Sequence, residues 1–179
     1  MKIYIVGSVG SGKTTLAREV SKKLQIPHFE TDNFVWTRHP TGDVRNDIEV
    51  RNQLLQDAIT IDSWVMEGVH IDWTDPGLEE ADQIIFLDLA SAKRIQRITK
   101  RYIRQLLRIE KANYRPTFSI FRRMFRWNKY FEEQMKPEFL TKFSAYEQKV
   151  SRFQTDKEVE DWFRRLKANK YTKKRTPYQ

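Results

Sequence analysis

Residues 7–14 read Gly-Ser-Val-Gly-Ser-Gly-Lys-Thr. Gly7, Gly12, Lys13 and Thr14 stand at the spacing of a Walker A phosphate loop, in which successive backbone N–H groups and a helix N-terminus surround an anion. The flanking sequence supplies the context the motif needs: the apolar run KIYIV precedes it, and TLAREVSKKL, with helical spacing at Leu16, Val20 and Leu24, follows it. A chance Gly/Ser turn before a helix is the bland alternative, and the strand–turn–helix order argues against it. The glycines let the backbone approach phosphate where a Cβ would obstruct, Lys13 is suited to reach the β- and γ-phosphates, and the Thr14 hydroxyl is suited to bind Mg²⁺. The nucleotide-binding set expected from the sequence is therefore Gly7, Ser8, Val9, Gly10, Ser11, Gly12, Lys13, Thr14 and Thr15, with ATP and Mg²⁺ as cofactors.

A phosphate loop needs a sheet behind it, and the next eighty residues alternate accordingly. Ile26 to Glu30 reads as a second short strand, followed by TDNFVW and a polar turn around HPTGD; 47–61 has helical apolar spacing. Trp64–Met66 and Ile84–Leu89 are apolar runs with acids at their ends, Glu67 and Asp88. Strands alternating with helices imply a parallel sheet built from βαβ units. A metal-orienting carboxylate is expected at the end of a strand beside the loop, and Glu67 and Asp88 both qualify by position, although either could simply terminate its strand. The metal set is thus Thr14 with Glu67 or Asp88.

From Ser91 to about Tyr146 the pattern is helical, broken near Pro116 and Pro137; 149–154 reads as a last strand. Thr155 with Glu158 three residues later forms a capping box opening a helix to about Ala168, and 169–179 is a basic tail. With 179 residues, one domain is expected: core 1–90 and 149–168, helical insert 91–148, tail 169–179. No run approaches the ~18 apolar residues of a membrane span. The N-terminal MKIYIVG lacks the long apolar region of a secretion signal, so a cytoplasmic location is expected. Cysteine is absent, which excludes disulfides, thiol catalysis and cysteine-bound zinc, and His28, His39 and His70 lack metal-ligand spacing.

GSVGSGKTTLA, IPHFETDNFVW, WVMEGVH, IIFLDL, the arginine-rich KRIQRITKRYIRQLLR and the closing VSRFQTDKEVEDWF together resemble the adenylate-kinase-like P-loop proteins of the DNA topology modulation protein family. The resemblance covers nearly the whole chain. It implies a three-layer α/β P-loop kinase fold: a five-stranded parallel sheet of order 2-3-1-4-5 flanked by helices, with a mobile helical lid. It also implies an Asp near the second strand, as in TDNFVW, and an Asp-Gly-Asn-Tyr segment where this chain has Glu67, Gly68, Val69 and His70.

Arg94, Arg97, Arg101, Arg104 and Arg108 are spaced 3, 4, 3 and 4, which places all five on one helical stripe beside an apolar stripe of Ile95, Ile98, Tyr102, Leu106 and Ile109. Arg97 and Arg101 are the candidates for stabilising a transferring phosphoryl group, whereas Arg104 and Arg108 read as a solvated face. Phe118, Phe121 and Phe125 share one face and read as core. In kinases of this shape the acceptor binds on the connection between the second and third strands, which here carries Asp32, Trp36, Arg38, Arg45 and Arg51, with Glu67 and Gly68 beside it. Asp32 could accept a proton from an attacking hydroxyl or merely cap the short helix after it, and Arg38 or Arg51 could grip an acceptor phosphate. The catalytic set is Lys13, Asp32, Arg97 and Arg101.

The net charge of +9 is unevenly spread: residues 1–90 carry 8 Lys+Arg against 15 Asp+Glu, residues 91–179 carry 25 against 9. An arginine-rich lid accounts for much of the basic half, and no DNA-reading module is visible. The sequence therefore predicts an ATP- and Mg²⁺-dependent phosphotransferase of unknown acceptor, a monomer or dimer that binds nucleic acid only weakly and without specificity. A DNA-binding regulator or a nucleotide-dependent switch is the alternative.

Overall fold

A computed structural model describes residues 1–39, 42–109 and 117–172, the last six as backbone. Pro116 and residues 173–179 of the basic tail lie outside the described residues. Strands β1 (Lys2–Gly7), β2 (His28–Glu30), β5 (Trp64–Gly68), β6 (Gln83–Leu87) and β7 (Val150–Phe153) form one sheet in the order β2-β5-β1-β6-β7, every pair parallel. Counted among sheet strands alone, this is the expected 2-3-1-4-5 order. A separate antiparallel pair, β3 (Trp36–Thr37) with β4 (Val44–Arg45), makes a small hairpin that the sequence reading treated as a turn.

Apart from Glu67 and the first residues of β1 and β6, the central strands are apolar, as suits a sheet covered on both faces. On one face Ile3, Ile5, Val65, Ile85 and Leu87 pack against Leu16, Ala17 and Val20 of α1 (Lys13–Leu24) and Trp162 of α8 (Asp156–Thr172). On the other, Tyr4, Val6, Trp64, Met66, Ile84 and Phe86 meet Leu55, Ala58 and Ile59 of α3 (Ile48–Ile59), Leu78 of α4 (Asp75–Glu80), and Phe131, Phe139 and Phe143. Helices on both sides of a parallel sheet give the three-layer kinase-like P-loop fold. The capping box opens α8 as expected: Thr155 Oγ1 accepts from the Glu158 N–H (3.3 Å), and Glu158 accepts from the Thr155 N–H (3.1 Å).

Between β6 and β7 the described residues are helical: α5 (Ser91–Leu106), α6 (Phe118–Tyr130), a π-helical turn (Phe131–Met135) and α7 (Lys136–Phe143). The break expected at Pro137 does not occur. Pro137 sits in the first turn of α7, and the π turn just before it relaxes the helical hydrogen-bond ladder where a proline contributes no N–H. The apolar stripe expected on α5 is also corrected. Ile98 is buried, but Leu106 and Ile109 are largely exposed, and the other buried positions of α5 are Arg94 and Gln105. Phe118, Phe121 and Phe125 are a partly exposed ladder rather than core: Phe121 stacks on Tyr102 at 4.3 Å and meets Phe125 edge-on at 4.8 Å, while Phe118 is exposed.

Candidate functional site

The phosphate loop spans the end of β1 and the start of α1. Gly10 (φ 76°) and Gly12 (φ 93°) hold left-handed backbone, which a side chain adopts only with strain. The turn closes through Ser11 N–H to Ser8 O (3.2 Å), and the Leu16 N–H donates to Gly12 O (3.0 Å). Ser8 and Ser11 are buried, and their hydroxyls have no protein partner among the described residues. Val9 and Thr15 complete this segment. The N–H groups of the first turn of α1, from Lys13 onward, are left for an anion, as at any helix N-terminus.

Strand β5 runs between β1 and β2 and delivers Glu67 next to the loop, because Ile5 and Glu30 are its register partners on either side. Glu67 is 4% exposed. Thr14 donates its hydroxyl to Glu67 Oε1 (2.5 Å), and Lys13 Nζ lies 3.8 Å from Oε2. Burial raises the Glu67 carboxyl above its ordinary range, and Lys13 and Thr14 only partly counter that. A hydroxyl and an under-compensated buried carboxylate side by side fit a hard divalent cation such as Mg²⁺, which binds through one or two carboxylates together with substrate phosphates and water. His28 and Glu30 bring further ligand atoms to within 4.8 Å of Glu67's, a grouping invisible in linear spacing because it forms only when β2 pairs with β5. Burial lowers the His28 pKa, keeping the ring neutral, and Arg18 holds Glu30 at 2.9 Å.

Asp88 departs from the sequence expectation. Its carboxylate is consumed by two cations: Lys136 at 2.7 Å on Oδ1, and Arg152 on Oδ2 at 2.9 and 2.5 Å. Lys136 also lies 3.5 Å from Glu132, and Glu132 pairs with Arg94, so a chain of alternating charge runs from β7 through the π turn to α5. Asp88 is therefore an internal counter-ion, leaving Glu67 as the acid beside Thr14.

The five arginines of the α5 stripe separate sharply. Arg94 is fully buried, donating to Asn128 Oδ1 (2.7 Å), to Leu89 O (3.0 Å) and to Glu132, with its guanidinium over the Phe131 ring. Arg97 reaches the phosphate loop: Nη1 donates to Ser11 O (2.9 Å), and Nη2 donates to Asp156 (2.5 Å), which also binds Lys93 at 2.6 Å. A Cβ on Gly12 would come within 3.3 Å of Arg97 Nη1. Arg101 is turned toward α6, with Met124 Sδ 3.6 Å from Nη2. Arg104 and Arg108 are exposed, as expected.

On the acceptor side, Asp32 opens α2 (Asp32–Val35) but makes no side-chain cap; its Oδ1 instead meets His70 Nε2 at 3.0 Å. That hydrogen bond is the main cause of a lowered Asp32 pKa, with Lys13 and Arg38 adding to it. His70 is a partner that sequence reasoning did not anticipate. It lies 38 residues away, beyond Gly68, where a Cβ would come within 1.8 Å of Thr31 Oγ1. The His70 ring is 5.2 Å from Trp73, and Arg51 lies over Trp73 at 4.5 Å while donating to Asn52. Arg38 pairs with Asp43 and donates to Asn33 (3.4 Å). Trp36 and Arg45 face each other in the hairpin register, both exposed.

The protein YqaC of Bacillus subtilis (strain 168) is 32% identical over 100 residues, 55% of this chain and 55% of YqaC. Shikimate kinase of Dechloromonas aromatica (strain RCB) is 44% identical over 36 residues, 20% of each. The chain thus spans about half or less of the curated relatives it matches. Solved structures of deoxyadenosine kinase from M. mycoides, one with bound dATP and one with dCMP and a flexible dCDP, superpose with TM-scores of 0.52 at 18% and 17% identity. They cover 93% and 94% of this chain and 99% and 100% of theirs, which shows a shared fold. The AAA domain family matches residues 3–114, a stretch running from β1 through the phosphate loop, Glu67 and all of α5. A match over more than half of the chain, taking in the loop described above, makes this protein a member of the AAA domain family.

Proposed function

We propose that the protein is an ATP- and Mg²⁺-dependent phosphotransferase of the small-molecule kinase kind. The observation that carries the reading is the convergence, around one phosphate loop, of Lys13, the Thr14–Glu67 pair and an arginine from the helical insert. The shared fold with a deoxyadenosine kinase and the short likeness to a shikimate kinase support it. The narrower likeness to the DNA topology modulation family and a cytoplasmic location belong to the same proposal, as does a single domain in which 91–148 serves as lid.

Catalysis of this kind is positioning and charge neutralisation, with no covalent enzyme intermediate. The loop amides and Lys13 hold the β- and γ-phosphates. Thr14 and Glu67 would hold Mg²⁺, which would neutralise phosphate charge there. Arg97, already hydrogen-bonded to the loop at Ser11 O, needs only a short reorientation to meet the transferring group; Arg101 would have to leave Met124 to join it. Asp32 would face the acceptor, with Trp36, Arg38, Arg51 and Gly68 as the other residues proposed for that side. The test is phosphoryl transfer from ATP across a panel of hydroxyl acceptors, with ADP release as readout. Transfer that needs Mg²⁺ and is lost in Lys13→Ala is the expected result; ATP binding without transfer to any acceptor would leave a nucleotide switch instead.

A further inference from the structure

The chemistry beside Asp32 narrows what the acceptor can be. The arginines that could grip an acceptor phosphate are engaged: Arg38 with Asp43 and Asn33, Arg51 over Trp73 and on Asn52. Drawing Arg38 away would strand Asp43 beside the incoming anion. Three carboxylates, Glu30, Asp32 and Glu67, lie at or just beyond the paired ends of β2 and β5, two of them already facing a cation in Arg18 or Lys13. The groups left to a ligand next to Asp32 are hydrogen-bonding ones. Because an ionised carboxylate only accepts, His70 Nε2 must carry the proton in its bond to Oδ1, which leaves Oδ2 for a substrate donor.

We propose that the acceptor is an uncharged hydroxyl compound whose reacting hydroxyl docks on Asp32, with His70 as the residue that positions the carboxylate. This rests on the phosphotransferase reading above. The hydroxyl oxygen forms the new O–P bond as the bond from the γ-phosphorus to the β–γ bridging oxygen breaks. The hydroxyl proton passes to Asp32, and the electron pair of the broken bond leaves on ADP. An acceptor that already carries a phosphate or carboxylate would add an anion beside Asp32, where Arg38, the guanidinium whose charge acts on that carboxylate, is committed to Asp43. His70 does not touch the reacting atoms; its hydrogen bond to Oδ1 fixes the rotamer of Asp32.

The experiment measures transfer from radiolabelled ATP to matched pairs of acceptors, each an uncharged nucleoside or polyol and its monophosphate or carboxylate counterpart, with wild type, His70→Phe and His70→Gln. Wild type should favour the uncharged member at least tenfold in kcat/KM. His70→Phe should lower kcat about tenfold or more with KM for ATP unchanged. His70→Gln, whose amide N–H can replace the imidazole donor, should recover most of the rate, which a packing role alone would not give. Preference for the anionic member, or a wild-type rate in folded His70→Phe, overturns the inference and leaves the phosphotransferase standing. Absence of transfer to either member overturns both.

Discussion

Lys13, Glu67 and Asp32 share one floor, yet their charges are held in different ways. Lys13 lies in the loop outside both apolar clusters of the core, so Lys13→Ala should abolish ATP binding in calorimetry while the circular dichroism spectrum is unchanged. Glu67 is the opposite case. Burial raises its pKa, so the native state binds its proton more tightly than the unfolded chain does, and its ionised form opposes folding once the pH exceeds that raised value. Glu67→Gln should therefore raise the neutral-pH Tm while removing Mg²⁺-dependent turnover; a lowered Tm would refute this account of the site. Asp32 carries the reverse sign, since the His70 hydrogen bond lowers its pKa. Its stabilisation is present above the ordinary carboxylate range and is withdrawn on acidification. Wild type should accordingly be more stable than His70→Phe near neutrality, and thermal melts at falling pH should show the difference shrinking.

At the scale of the element, α5 gives two arginines one turn apart contrasting fates. Arg94 holds Asn128, Leu89 O and Glu132 in a sealed site, so Arg94→Leu should cost about 3 kcal/mol or more in denaturant unfolding by leaving buried polar partners unpaired. Arg97→Ala should leave Tm nearly unchanged but lower kcat by about 10³, the lower end for an arginine serving a transferring phosphoryl group, with ATP affinity little altered. The 3-4-3-4 spacing correctly predicts that both lie on one stripe, but a stripe cannot tell what faces it. The burial of Arg94 is decided by Asn128 and Glu132, more than thirty residues later. For the same reason the sequence cannot choose between Asp88 and Glu67, since the cations that meet Asp88 arrive on α7 and β7. The sheet was legible because each central strand is an apolar run buried on both faces. The hairpin was not, since two-residue strands such as Trp36–Thr37 have no periodicity to read, and α4 is too short to show one.

For the molecule as a whole, the basic half supplies a field. The outer residues of α6, Arg122, Arg123, Arg126 and Lys129, are exposed. Duplex DNA binding should be weak, and its affinity should fall on a log–log salt plot with a slope near −0.9 per phosphate neutralised; submicromolar, sequence-selective binding at physiological salt would contradict this. Among the described residues no helix is long and apolar enough to cross a membrane. The line of charge from buried Arg94 through Glu132, Lys136 and buried Asp88 to the partly exposed Arg152 also constrains descent. A lineage that loses Asp88 alone is left with Lys136 and Arg152 facing each other without the carboxylate between them, and one that loses Arg94 alone leaves the buried Asn128 Oδ1 without its donor. Viable substitutions at these positions should arrive in compensating pairs, so that across related chains the line is inherited whole or replaced by apolar residues together, while the exposed arginines of the same insert drift one at a time.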